Sequence, residues 1–329
     1  MNNELLYQGG VLFLTVFFVT VVLERRLVPR LRRYAEQPIL EIGPHWHLSK
    51  RGTPTLGGLG FILSILLALG FFTPLWVAKG QTEWKKLLFL AGFGLCCGLI
   101  GLVDDRQKLQ KKQNKGLSAA QKYLLQLALS VLFLWLAKKL FGLSTALVLP
   151  FDGRVIELGV LYYPFALLFL TGVINALNLT DGVDGLLSSL VGVFSGFLLF
   201  LGVLWGERSA FLCGCMLLGG ALGFLCFNAH PAKIFMGDTG SLFLGGIVAG
   251  YGILSPSPLC VLLACGVFLI EAFSVMLQVV YFKLTHGKRI LRMAPLHHHF
   301  EKGGWSEERV VLVFCAMGVI FALLAVLGG

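Results

Sequence analysis

The chain has 329 residues, of which 57% are apolar and 13% charged, and its mean hydropathy is +0.82. A soluble domain carries about twice that share of charge, so a water-facing globule, a disordered chain and a dedicated nucleic-acid binder are all excluded. The net charge of +10 fits basic loops against an anionic membrane surface, with an acidic substrate as the second source of such an excess.

Apolar runs follow one another at 9–28, 55–76, 87–103, 121–141, 160–178, 184–204, 209–227, 240–254, 258–282 and 307–327. At about 20 residues per crossing they predict an all-α polytopic membrane protein of about ten transmembrane helices, forming one domain. The eighth run is short for a full crossing. The first has neither the basic start nor the small-residue cleavage site of a removed signal and is expected to stay as an anchor. Loops after the odd-numbered runs, with the adjoining span ends, hold 20 of the 27 Lys and Arg residues. By the positive-inside rule those loops are cytoplasmic and both termini extracytoplasmic. On the opposite side, Asp152-Gly153 between two short β-prone runs predicts a small external β-hairpin. The eight cysteines lie in or at the ends of apolar runs without a CxxC pair, and read as small hydrophobes.

Ionisable groups at a membrane are costly and mark function by default. The polar clusters all fall on the odd-side loops. Lys50-Arg51-Gly52-Thr53-Pro54-Thr55-Leu56-Gly57-Gly58 offers a cation, a hydroxyl and a glycine-rich helix start suited to an anion; a proline-capped helix start is the alternative. Asp104-Asp105 closes the third run, ahead of Arg106, Lys108, Lys111, Lys112, Lys115 and Lys122. Paired carboxylates at a helix C-terminus oppose the dipole and each other, so a divalent cation or lysines must offset them. In Asn178-Leu179-Thr180-Asp181-Gly182-Val183-Asp184 two aspartates three apart can share a face if the sixth helix starts there; magnesium needs few carboxylates, and the ligand series of a calcium loop is missing. Asp238 stands between Gly237 and Gly240 after Asn228 and Phe235, open to a metal. His297, His298 and His299, with Glu301, Gln278 and Glu271 nearby, fit phosphate contact or a polar interfacial loop; three consecutive side chains diverge too far to hold one zinc.

Together KRGTPTLGG (50–58), LVDD with its downstream lysines (102–117), NALNLTDGVDGL (175–186), FNAHPAKIFMGDTGS (227–241) and APLHHHFEKGGWSE (294–307) resemble the polyprenyl-phosphate N-acetylhexosamine-1-phosphate transferase superfamily. Within it the His triplet and Gly-Trp-Ser element are similar to the phospho-N-acetylmuramoyl-pentapeptide transferase family. Leu56, Arg106 and Gly304 depart from that pattern without removing a ligand.

The resemblance implies a homodimer with a cytoplasmic, Mg2+-dependent site in a bacterial inner membrane, its partners being the lipid bilayer, undecaprenyl phosphate and UDP-N-acetylmuramoyl-pentapeptide. It places Asp238 and Asp105 at the metal, Asp104 as general base, and Lys108 and Lys122 on phosphate oxygens. Asn178, Asp181 and Asn228 would position ligands. Lys50, Thr55, Gly182, Val183, Asp184, Phe235 and Gln278 would surround the uridine and its sugar, with His297 and His298, the first two of the triplet that His299 completes, on the pyrophosphate or sugar side. A sister N-acetylglucosamine-1-phosphate transferase is the nearest rival, and the uninterrupted triplet argues against it. A transporter is the rival of another class; its polar residues usually gather at the midplane, not at one face.

Overall fold

The computed structural model describes residues 3–34, 52–111 and 116–329. It consists of twelve α-helices and one two-stranded sheet among the described residues. The helices are α1 (Asn3–Leu31), α2 (Gly58–Ala78), α3 (Glu83–Lys111), α4 (Ala119–Phe141), α5 (Tyr162–Thr180), α6 (Leu186–Leu204), α7 (Arg208–Asn228), α8 (Gly237–Leu254), α9 (Pro258–Ala264), α10 (Gly266–Leu284), α11 (Leu296–Glu301) and α12 (Glu307–Leu327). Nine helices among the described residues are long and apolar enough to cross a membrane: α1 to α7, α10 and α12. The chain is a multi-pass membrane protein.

The run expected at 240–254 is α8, and it starts earlier, at Gly237. Every residue of α8 from Thr239 to Ile253 is buried, so this helix is the axis of the bundle. Its glycines explain its position. The α3 and α8 backbones touch through Gly94 and Gly246: a Cβ on Gly246 would stand 2.8 Å from the Gly94 Cα. Such small-residue contacts let helices close on each other where no hydrophobic effect separates protein from lipid.

The single run expected at 258–282 is broken. Pro258 opens the seven-residue α9, Cys265 leaves the helical region, and α10 begins at Gly266. The Phe321 ring from α12 packs there, within 2.4 Å of where a Cβ on Gly266 would lie. The run expected at 87–103 is longer than predicted, because α3 continues through Asp104 and Asp105 to Lys111. Helix α4 starts with a Ser118–Gln121 capping box and ends on Gly142 in the left-handed region, as capping rules anticipate.

The expected hairpin is present: β1 (Ala146–Val148) pairs antiparallel with β2 (Val155–Glu157), with Leu147 opposite Ile156. The Asp-Gly pair does not form a two-residue turn. Leu149 and Arg154 still bond, N to O at 2.8 Å, so the loop is Pro150 to Gly153, and Phe151 and Gly153 take positive φ. Arg154 closes it by an ion pair with Asp152.

At the end of the bundle that holds the start of α7, Glu207 accepts hydrogen bonds from Lys86 of α3 at 2.7 Å and from the Tyr251 hydroxyl of α8 at 2.9 Å. Beside it Arg208 pairs with Glu83 at 2.8 Å. The Lys86–Glu207 pair is only about one-sixth exposed. Glu207→Ala strands both donors and is expected to cost about 1–3 kcal/mol, read as a lower unfolding midpoint in detergent. An unchanged midpoint would remove this clamp from the account.

Candidate active site

At the other end, α3 and α8 meet through a carboxylate. Asp105 is buried, and its Oδ2 accepts from the backbone N of Thr239 at 2.9 Å and from the Thr239 hydroxyl at 2.7 Å; its Oδ1 accepts from the Asp238 N at 3.2 Å. The first N–H groups of a helix lack intrahelical partners and carry partial positive charge. Asp105 supplies what they need from a neighbouring helix. Close approach is secured by Gly101, where a Cβ would lie 2.2 Å from the Asp238 carbonyl oxygen. Gly237 takes a left-handed φ of 75°, and a Cβ there would stand 2.7 Å from Asp105 Oδ2 and 2.8 Å from Thr55 Oγ1. The Thr55 segment is itself tied to the loop before α8, since Phe235 N donates to the Pro54 carbonyl at 2.8 Å and Gly57 N to the Phe235 carbonyl at 2.9 Å.

Asp238 therefore emerges at the first turn of α8 with its side chain free of the cap. Its Oδ2 lies 2.5 Å from Lys122 Nζ and 3.1 Å from Lys108 Nζ, and its Oδ1 accepts from Asn178 at 3.2 Å. The same two ammonium groups reach Asp104 Oδ2, at 3.0 Å from Lys122 and 2.7 Å from Lys108. Asp104 is fully buried, and its Oδ1 accepts from the Leu117 backbone N at 2.6 Å. Gly116 permits that approach: a Cβ on it would collide with Asp104 Oδ1 at 2.3 Å. A cleft of about 530 Å³ opens beside this pair, lined by Asp104, Lys108, Leu117, Ser118, Gln121 and Lys122.

Asp104, Asp105 and Asp238 each offer an oxygen within 4.8 Å of the others. When ionised they carry one negative charge more than Lys108 and Lys122 supply. Hard oxygen donors, clustered and left net negative, fit a small divalent cation that keeps several waters. The lysines fit phosphate oxygens.

A turn between α5 and α6 brings Asp181, Gly182, Val183 and Asp184 alongside. Burial first, and then the charges of Asp238, Asp105 and Asp184, push the Asp181 carboxyl up to about 8, with Lys108 opposing. Asp184 faces a second cluster. Its Oδ2 lies 3.2 Å from His230 Nδ1 and accepts from Ala232 N at 3.0 Å, while Glu307 accepts from the Asp184 backbone N at 3.1 Å. Asn228 ties the same loop down, accepting from Ser188 at 3.0 Å and donating to the Ile234 carbonyl at 3.0 Å.

The histidines go three ways. His297 is fully buried against Glu271, His298 pairs with Glu301 at 2.6 Å, and His299 Nδ1 accepts from the Arg292 backbone N at 3.0 Å. Only His297 meets the α5–α6 turn, with its Nε2 2.3 Å from where a Cβ on Gly182 would lie. Gln278 accepts from Ile290 N at 3.2 Å and Leu291 N at 3.0 Å, so its amide latches the segment leading to the triplet. Lys50 lies outside the described residues.

The structure thus gathers Asp104, Asp105, Lys108, Lys122, Asn178 and Asp238, with Asp181 close by. Thr239, His230, Glu307 and Glu271 take part without having been singled out as site residues. Thr239 follows a predicted ligand directly, and Glu271 is an acid inside an apolar run, so both left a signal; His230 and Glu307 lie 77 residues apart in the chain, and nothing local connects them.

The glycosyl transferase family 4 model matches residues 87–255. The chain is 44% identical over 326 residues to the phospho-N-acetylmuramoyl-pentapeptide-transferase of Listeria monocytogenes, covering 98% of each. It is 42% identical over 320 residues to that of Halalkalibacterium halodurans, covering 96% of this chain and 97% of the relative. With that of Clostridium kluyveri it shares 41% identity over 315 residues, 95% and 97% of the two chains. With its buried carboxylates and lysines at one end of a helical membrane bundle, the chain belongs to glycosyl transferase family 4, in the company of the phospho-N-acetylmuramoyl-pentapeptide-transferases.

Proposed function

We propose that this protein transfers phospho-N-acetylmuramoyl-pentapeptide from its UDP-linked form to undecaprenyl phosphate, giving the lipid-linked pyrophosphate (lipid I) and UMP. The observation that carries this reading is the pair of lysines held between Asp104 and Asp238 at one end of a bundle of apolar helices. One substrate is a greasy anion that travels in the bilayer, and the other is a soluble anion. A cleft whose lysines, with a divalent cation on the aspartates, offset phosphate charge receives both. The basic loops on that side support a cytoplasmic site in the bacterial inner membrane with both termini outside. A homodimer belongs to the same proposal, on the resemblance alone.

An oxygen of the lipid phosphate attacks the β-phosphorus of the nucleotide sugar, and the bond from that phosphorus to the bridging oxygen of UMP breaks. Phosphoryl transfer of this kind depends on positioning and charge neutralisation. Lys108 and Lys122 each keep an N–H for phosphate oxygens beyond those given to the two aspartates. Asp104 takes any proton the lipid phosphate still carries. Asn178 fixes Asp238, and with Asp181 and Asn228 it shapes the floor. Lys50, Thr55, Gly182, Val183, Asp184, Phe235 and Gln278 surround the uridine and its sugar, Phe235 under the base, with His297 and His298 on the pyrophosphate or sugar side. Asp238 and Asp105 would hold Mg2+, which when bound neutralises phosphoryl oxygens and makes the phosphorus more electrophilic.

Purified protein in detergent, given UDP-N-acetylmuramoyl-pentapeptide, undecaprenyl phosphate and Mg2+, is expected to release UMP with no membrane gradient. Release only with UDP-N-acetylglucosamine would favour the sister enzyme, and no release from any nucleotide sugar would leave the transporter. Asp238→Asn is expected to lower turnover roughly 100-fold or more while the protein stays monodisperse; near-normal turnover would refute its role. Asp181 is neutral below about 8 and anionic above it, so a cation gains attraction as pH rises. Calorimetric Mg2+ affinity should increase up to about pH 8 and then level, with the rise flattened in Asp181→Asn. A rise that survives the substitution would assign the proton elsewhere.

A further inference from the structure

Helix α10 carries a carboxylate where a membrane helix least tolerates one. Glu271 is fully buried in the second turn of the Gly266–Leu284 helix, a segment apolar enough to cross a membrane, and an unpaired charge there is heavily penalised. Its partner comes from α11. Glu271 Oε1 accepts from the His297 backbone N at 3.1 Å, and Oε2 lies 3.3 Å from His297 Nδ1. Oε2 and Nδ1 face each other at ion-pair distance without hydrogen-bond geometry, and neither they nor the ring's second nitrogen, Nε2, has a hydrogen-bond partner among the described residues. That second nitrogen is equally buried. It points at Gly182, in the turn that carries Asp181 and Asp184, and would lie 2.3 Å from a Cβ at that position. His298 and His299 are turned to Glu301 and to the Arg292 backbone, so His297 alone of the triplet directs a nitrogen without a hydrogen-bond partner toward this turn.

An ionised carboxylate only accepts hydrogen bonds, so the imidazole nitrogen facing it carries the proton and the other bears the lone pair. We infer that Glu271 is a positioning residue that holds His297 with its proton on Nδ1 and so presents the Nε2 lone pair to a hydroxyl or imide N–H donor of the nucleotide sugar at the Asp181–Asp184 turn. The donor's identity rests on the function proposed above; the ring's orientation and tautomer do not. Gly182 then has a reason beyond turn geometry, because any side chain there would collide with the His297 ring and push Nε2 off the turn.

Glu271→Gln is the discriminating change. The amide oxygen still accepts from the His297 backbone, but the amide N–H₂ now donates to Nδ1 and drives the proton to Nε2, turning an acceptor into a donor in a site of unchanged shape. The first measurement is 15N NMR of histidine-labelled full-length protein in detergent, without substrate, with His297→Gln assigning the resonance. Expected is an Nδ1-protonated ring in the parent and an Nε2-protonated ring in Glu271→Gln. The second is kinetic. Glu271→Gln is expected to raise KM for the UDP-linked substrate roughly tenfold and leave KM for undecaprenyl phosphate unchanged, with no further rise when added to His297→Gln. An Nε2-protonated ring in the parent, or an equal KM penalty in the His297→Gln background, would overturn the inference. Should the nucleotide sugar prove not to be a substrate, the spectra still decide the tautomer, so the two failures are separable.

Discussion

The contact on which the rest of the structure depends is Asp105 against the first turn of α8. The backbone N–H groups of Asp238 and Thr239, together with the Thr239 hydroxyl, all converge on that one carboxylate. Helix α8 is buried from Thr239 to Ile253, and an unanswered donor at its start would be expensive. With the cap supplied from α3, the α8 start is fixed to within a hydrogen bond, and so is Asp238, which leaves the helix at that turn. The adjacent Asp104 and Asp105 therefore do different things: one anchors a helix, the other shares the lysines.

The two ends of the bundle solve the charge problem differently. Near the start of α7, Glu207 is matched by Lys86 and supplemented by Tyr251, and Glu83 by Arg208, so each acid has its own base. At the α8 N-terminus, Asp104, Asp105 and Asp238 face only Lys108 and Lys122. Balanced pairs give a clamp. An unbalanced cluster, close to a cleft, gives a place for ions to arrive.

Much of this was legible in the residues. Membrane spans stand out because lipid demands long apolar runs, and the acidic and basic clusters stand out because lipid penalises them. The same physics sets the limits. α8 reads as a short span because its first turn, Gly237-Asp238-Thr239, is not apolar and so falls outside the run. The break at Cys265 is invisible in an apolar stretch, since the Phe321 ring that fills it comes from another helix. The Asp152-Gly153 pair marked the hairpin but not its turn, which Leu149 and Arg154 close outside it. Roles inside the motifs were least legible. Gln278 and Asn228 look like ligand-binding amides, yet in the fold their hydrogen bonds go to the backbone at Ile290, Leu291 and Ile234 and to Ser188. Such partners depend on how distant loops meet, and no local spacing encodes them.

Lys108 and Lys122 each bridge Asp104 and Asp238 instead of belonging to either. In an exchange of one phosphate ester for another, the arriving and the departing anion meet the same two ammonium groups in the same field. Like any catalyst, the cradle lowers the barrier equally for both directions and biases neither. The direction of net flow is then imposed from outside the protein, by whichever reaction drains the lipid-linked product or the freed nucleotide.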